Sequence, residues 1–127
     1  MQLQESGEMY LETILILSQR QRGVRAVDVA EYMGFSKPSV SRAVGLLRSG
    51  AYLELDENGF LVLTEEGRRV AERTWERHRF LTAFFRYLGV TPEVAERDAC
   101  KIEHDMSDET FETIKRHCQN AKVESAE

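Results

Sequence analysis

The chain has 127 residues, 42% of them hydrophobic and 31% charged, with a formal net charge of −5. That is enough apolar material for one domain with a good core, or for two small units sharing one, and the abundance of helix-favouring residues points to a mostly helical protein. The negative charge argues against indiscriminate coating of nucleic acid but leaves room for a local basic face. No stretch is apolar enough to span a bilayer, and MQLQESGEMY lacks the basic-then-apolar order of a secretory signal, so a cytoplasmic setting without membrane association is expected.

Residues 8–19 place Met9, Leu11, Ile14, Leu15 and Leu17 at helical spacing, with Ser6 in position to cap. Gly23 closes the segment QRQRGV that stops this helix. A short helix is expected over 25–33 with Val27, Val29, Ala30 and Met33 inward, and Gly34 supplies its left-handed stop. Ser36 followed by Lys37-Pro38 is a strong start signal for the next helix. It runs to about Ser49, with Val40, Ala43, Val44 and Leu47 as its inner face and Gly50 at its end. AYLEL and FLVL then flank Asp56-Glu57-Asn58-Gly59, alternating apolar runs around an Asn-Gly turn, so a β-hairpin follows. A long helix is expected from Thr64 to about Leu88, with Glu65 and Glu66 suiting its N-terminus. It carries Val70, Trp75, Phe80, Leu81, Phe84, Phe85 and Leu88. That is more apolar surface than one small domain buries on one face, which points to a second copy of the chain. Thr91-Pro92-Glu93 begins a helix that runs through His104, and Ser107-Asp108-Glu109 begins the last one. The polar tail over residues 120–127 is expected to fray.

Helix, glycine turn, helix and hairpin, in that order, make a winged helix-turn-helix. The fold class is therefore mainly α, with the winged helix-turn-helix over residues 1–64 and a helical half over 65–127. Residues 1–64 carry six Lys/Arg against eight Asp/Glu, so basic character is confined to the second helix of the pair. That helix has Lys37, Arg42 and Arg48, and no acidic residue from Ser36 to Gly50. The short side chains of Ser36, Ser39 and Ser41 let its N-terminal end approach base edges and phosphates closely. Arg25, Ser36, Lys37, Pro38, Ser39, Ser41 and Arg42 are the candidate DNA contacts, and Arg42 suits a guanine or a phosphate equally. Solvated charge on an amphipathic helix is the competing reading for any single residue; the ordered pattern favours double-stranded DNA.

DACKIEHDMSDE holds the sharpest chemical signal. Cys100, Glu103 and His104 stand at i, i+3 and i+4, which on one helix puts them on one side. Thiolate, carboxylate and imidazole are good ligands for a divalent transition metal, with a fourth to come from elsewhere. On spacing alone, a helix with one buried cysteine and an exposed Glu-His pair is an equal alternative. In an unsecreted chain Cys100 and Cys118 are not expected to form a disulfide. No phosphate-binding glycine loop and no nucleophile–base pair is present, so no enzymatic activity is expected.

EMYLETI near the start, SKPSVSRAV, LTEEGRRVAERTWERHR after the hairpin, and ACKIEHDMSDE follow one another across nearly the whole chain. On these pieces the chain resembles the diphtheria toxin repressor and manganese transport regulator family of metal-dependent repressors. The resemblance implies a winged-helix domain over 1–64, a helical metal-binding and dimerisation domain over 65–127, and a short form without the SH3-like domain of many iron-type members. It implies a homodimer that binds a double-stranded operator when a divalent metal is held, so controlling metal-homeostasis genes. The primary site it implies is Met9, Cys100, Glu103 and His104. An ion held there ties the first helix to the second half and sets the spacing of two recognition helices. Met9 and Cys100 match iron-type members, where manganese regulators usually have aspartate and glutamate. Soft thioether and thiolate ligands favour Fe(II), while chain length leans toward the manganese branch; Fe(II) is favoured, with Mn(II) the alternative. A second site is implied by His78, which matches a ligand of both branches, and by Glu12, which matches a carboxylate of the manganese branch. With Glu103 they hold a second ion, or His78 is a hydrogen-bonded interface residue. The iron-type ancillary site is incomplete, because Thr82 and Glu96 stand where that branch has glutamate and histidine. Cys118 and His117 match no ligand motif and are read as structural or exposed. The rival function is a metal-independent winged-helix regulator that senses a thiol oxidant through Cys100, or an organic ligand.

Overall fold

The computed structural model describes residue 3 and residues 5–120; the tail over 121–127 lies outside the described residues. The elements run α1 (Glu5–Ser18), α2 (Ala26–Met33), α3 (Lys37–Ser49), β1 (Leu53–Leu55), β2 (Leu61–Leu63), α4 (Glu65–Tyr87), α5 (Pro92–Ile102) and α6 (Asp108–Asn120). They form two compact units, Met1–Arg73 and Thr74–Glu127, with α4 running through the boundary. The mainly helical class with an N-terminal winged helix-turn-helix is as the sequence predicts. No described helix is long and apolar enough to cross a membrane.

In the first unit α1, α2 and α3 pack together and the hairpin packs on α1 and α3. The core is Leu11, Ile14, Leu15, Val24, Val29, Val40, Leu47, Leu53 and Leu61. Ser6 does not cap α1 as expected. It lies inside the helix, whose first turn carries Glu5 and Glu8, favourable charges at a positive helix end. Helix α2 starts one residue later than predicted, because the Asp28 carboxylate accepts the Arg25 N–H (2.8 Å) and so makes Arg25 the cap position. Only Val29 and Ala30 of α2 are buried; Val27, expected inward, is 38% exposed. Gly34 takes the left-handed conformation (φ 72°), and its N–H and that of Phe35 both reach the Ala30 carbonyl, which ends α2 and turns the chain.

Helix α3 opens as the sequence predicts: Ser36 Oγ accepts the Ser39 N–H (3.3 Å) and Pro38 sits in the first turn. Its end differs from expectation. Gly50 stays near the helical region (φ −84°), and Ala51 adopts φ +67° instead. The Tyr52 N–H then reaches the Leu47 carbonyl (2.9 Å) and the Ala51 N–H the Arg48 carbonyl (3.0 Å), a Schellman closure with alanine where glycine is preferred. The hairpin pairs Leu53 with Leu63 and Leu55 with Leu61. Its turn is locked by the Asp56 carboxylate, which accepts the N–H groups of Asn58 and Phe60 at 2.9 Å each, and by Gly59 at φ 82°. The Thr64 hydroxyl joins hairpin to α4, accepting the Gly67 N–H (3.0 Å) and donating to the Ala51 carbonyl (2.8 Å). Gly67 packs so closely that a Cβ there would stand 2.0 Å from the Tyr52 carbonyl oxygen.

The second unit is built on Phe80, Leu81, Ala99, Phe111 and Cys118, with Phe84, Phe85, Met106 and Ile114 packed against them. Helix α5 was expected to run through His104; it stops at Ile102. The Glu103 N–H still bonds the Ala99 carbonyl (3.0 Å), but the Asp105 N–H turns back to Ile102 (2.9 Å). A residue far away in sequence meets this turn. The Arg77 guanidinium donates to the carbonyls of Glu103 (3.0 Å) and Met106 and to the Asp108 carboxylate, so it spans the turn that follows α5. Ser107 Oγ then accepts the Thr110 N–H (3.1 Å) and opens α6. At the far end of α4, Tyr87 and Leu88 are 61% and 62% exposed, an apolar surface the single chain leaves uncovered.

Candidate metal centre and nucleic-acid interface

Glu103 is the centre of a polar cluster in the second unit. Its side chain is fully buried, and those of His104 and His78 are 1% and 16% exposed. Glu103 Oε1 lies 3.0 Å from His78 Nδ1, and Oε2 lies 3.3 Å from His104 Nε2. His78 comes from α4, where its ring stacks on Trp75 with centroids 5.9 Å apart, and its Nε2 is 3.8 Å from the exposed Glu96 carboxylate. The carboxylate thus has one imidazole at each oxygen. Its Oε2 is buried and makes no hydrogen bond. A carboxylate taken out of water needs positive charge or donors on both oxygens, and an orphaned oxygen is destabilising. Two imidazoles and a carboxylate are donor types that first-row divalent ions accept, so the residues fit such an ion.

The other expected ligands are distributed as follows. Cys100 is half-buried on α5, one turn before Glu103, and neither it nor Cys118 is in a disulfide. The three residues of the C-x-x-E-H segment are not on one helix as expected. Cys100 is helical, Glu103 is the C-terminal cap, and His104 falls in the turn that follows. Met9 and Glu12 are on α1 of the first unit, three residues apart and so neighbours on that helix; Met9 is half-buried and Glu12 buried. Cys118 sits in the core of the second unit, where burial pushes its thiol pKa up, and His117 is exposed. Sequence reasoning missed Arg77. The signal was there: Val70, Thr74, Arg77 and Leu81 repeat at four, three and four residues, which puts an arginine on the buried stripe of α4.

In the first unit Arg25, at the start of α2, and Ser36, Lys37, Pro38, Ser39, Ser41 and Arg42, at and after the start of α3, are all exposed. The Ser36 hydroxyl is engaged by capping, since it accepts the Ser39 N–H and donates to Ser39 Oγ (2.9 Å). That leaves Lys37, Ser41 and Arg42 as the outward polar groups of this end. Arg25 lies against the hairpin, its guanidinium 4.5 Å above the Phe60 ring, so it sits beside the wing turn.

The model of the iron-dependent repressor N-terminal DNA-binding domain matches residues 2–61, and that of the iron-dependent repressor metal-binding and dimerisation domain matches residues 64–125. The transcriptional regulator MntR of Escherichia coli is 34% identical over 110 residues, covering 87% of this chain and 71% of that protein. The HTH-type transcriptional regulator MntR of Geobacillus kaustophilus is 37% identical over 102 residues, covering 80% of this chain and 72% of that one. Among solved structures, the manganese regulator SloR superposes with a TM-score of 0.80 at 28% identity, over 89% of this chain and 53% of that chain. T. acidophilum IdeR gives 0.77 at 26% identity, over 99% and 57% respectively. The chain therefore spans little more than half of these solved structures. It belongs to the iron-dependent repressor family of metal-dependent transcriptional repressors.

Proposed function

We propose that this chain is a cytoplasmic homodimeric repressor that binds double-stranded operator DNA when its divalent-metal site is filled, and so controls metal-homeostasis genes. The observation that carries this reading is the buried Glu103 carboxylate set between His78 and His104, with an oxygen that no hydrogen bond satisfies. Glu103, His104, Cys100 and Met9 form the primary ligand set, and Glu12 and His78 share Glu103 in a second position. Bound there, the ion supplies positive charge and a common point of attachment. Held by ligands from α1 and from the turn after α5, such an ion would favour the state in which the two α3 helices of the dimer fit successive major grooves. Lys37 and Arg42 contact phosphates or base edges, and Arg25 contacts a phosphate beside the wing. The exposed Tyr87 and Leu88 contribute to the dimer contact.

The metal divides into two readings, each with its own support. The soft donors Met9 and Cys100 favour Fe(II) over Mn(II), which prefers oxygen. Mn(II) is favoured by the relatives, since SloR is described as a manganese regulator and another structural relative, at a TM-score of 0.79 and 27% identity, as a manganese-dependent transcriptional repressor in complex with manganese. The thiol-oxidant or organic-ligand alternative gains no support from the relatives. Anaerobic reconstitution with competing Fe(II), Mn(II) and Zn(II), followed by elemental analysis, tests both readings. Retention of one ion or two per chain, lost in His104→Ala, is expected. Protein that emerges from every reconstitution without a stoichiometric metal would defeat the metal-switch reading.

A further inference from the structure

We infer that Arg77 is a positioning residue for the metal centre, fixing the turn that presents Glu103 and His104. The inference rests on the metal reading above and deepens it. Arg77 is 5% exposed, and its guanidinium reaches three acceptors: the Glu103 carbonyl, the Met106 carbonyl and the Asp108 carboxylate. The two carbonyls bracket the segment 103–106 and both accept from Nη1, while Nη2 reaches Asp108, so one planar guanidinium spans the turn and the start of α6. The guanidinium also lies 5.0 Å over the Phe111 ring, which holds it from the α6 side. Arg77 is next to His78, whose Nδ1 meets the Glu103 carboxylate at 3.0 Å. Helix α4 therefore grips Glu103 twice, by its main chain through Arg77 and by its side chain through His78.

Stability alone accounts poorly for this arrangement. A buried arginine is costly, and an apolar side chain of similar size is often neutral or better in such a place. Arg77 is also incompletely satisfied, because its buried Nε makes no hydrogen bond. What an apolar side chain could not do is interrupt α5 at Ile102 and turn His104 toward Glu103. Groups that orient metal ligands from outside the coordination sphere change metal affinity by about 10- to 100-fold when removed.

The test uses the full chain and Mn(II) alone. Mn(II) binding is read from the loss of the free-ion electron paramagnetic resonance signal, and the integrity of the metal-free protein from its circular dichroism melt. Arg77→Met is expected to bind Mn(II) about 10- to 100-fold more weakly while its metal-free form stays folded. Arg77→Lys, which keeps the charge but not the fork, is expected to fall between Met and parent. Asp108→Asn leaves the two carbonyl bonds in place and removes only the charge of a partner that is 71% exposed; it is expected to weaken binding by about two- to fivefold, the usual worth of such an ion pair. If Arg77→Met does not fold, the other two variants decide. Variants that bind Mn(II) as tightly as the parent, or that lose binding only in proportion to unfolding, overturn the role assigned to Arg77. If the parent itself takes up no Mn(II), the metal reading falls and this inference with it. If the parent binds, His104→Ala does not and the Arg77 and Asp108 variants match the parent, only the inference falls.

Discussion

Replacing Glu103 by glutamine keeps the shape of the side chain and removes its charge. The amide oxygen can still accept from His78 at 3.0 Å, and the amide nitrogen becomes a donor facing His104 Nε2 at 3.3 Å, where the carboxylate has an oxygen without a hydrogen bond. An orphaned buried polar atom costs about 1–3 kcal/mol, so metal-free Glu103→Gln should be as stable as the parent or more stable by up to that amount. The metal-loaded comparison has the opposite sign. A ligand at 100 times its Kd stabilises the folded state by about 2.7 kcal/mol. For a chain of this size that corresponds to a rise in Tm of roughly 10 °C, and Glu103→Gln should lose it. Differential scanning calorimetry of both proteins, with chelator and with saturating Mn(II), measures all four values. A metal-free variant that melts well below the parent would mean that Glu103 serves the fold as an ion-pair partner. A variant that keeps the Mn(II)-induced rise would remove Glu103 from the site.

Four further outcomes follow from the local geometry. Gly67→Ala places a Cβ 2.0 Å from the Tyr52 carbonyl oxygen, so it should destabilise the first unit by about 3 kcal/mol, the upper range for overpacking, in chemical denaturation. Ala51→Gly relieves a left-handed alanine (φ +67°) and should stabilise the same unit by about 0.5–1 kcal/mol; a loss of stability would contradict the strain assigned there. Lys37→Ala and Arg42→Ala should each weaken DNA binding and, if the contact is to phosphate, reduce the salt slope by about one, whereas an unchanged affinity in both would move the reading surface away from α3. Burial raises the Cys118 thiol pKa, so the native state holds this proton longer than the unfolded chain does. Its contribution to stability is complete below the unfolded thiol value of about 8.5 and is lost as pH rises beyond that through the folded value. Cys118→Ala should flatten this part of the alkaline decline in a pH series of melts.

The winged unit was legible because its signals are local. Ser36 with Pro38 starts α3, Gly34 ends α2, and Asp56 to Gly59 builds the hairpin turn, each within a few residues of the structure it sets. Where two neighbours compete the pattern is less decisive: Gly50 looked like the stop of α3, yet the left-handed residue is Ala51, because the backbone bonds to Leu47 and Arg48 fix the position of the reversal. The end of α5 was illegible for a different reason. Residue spacing predicts a helix through His104, and the group that meets the backbone beyond its end is Arg77, 26 residues away in sequence from Glu103. Residue spacing placed Cys100, Glu103 and His104 in one neighbourhood, but His78 had to come from the resemblance, since a lone histidine on α4 carries no spacing signal of its own.

The most direct measurement is DNA affinity against metal occupancy. A duplex would be selected from a randomised pool with metal-loaded protein, and a parallel selection run with chelator. Binding of the selected duplex would then be followed by fluorescence anisotropy with Mn(II), with Fe(II) under anaerobic conditions, and with chelator. A repressor switched by metal should bind about 5- to 150-fold more tightly when loaded, and the duplex should tighten metal binding by the same factor. Equal affinity for DNA with chelator and with either ion would contradict it.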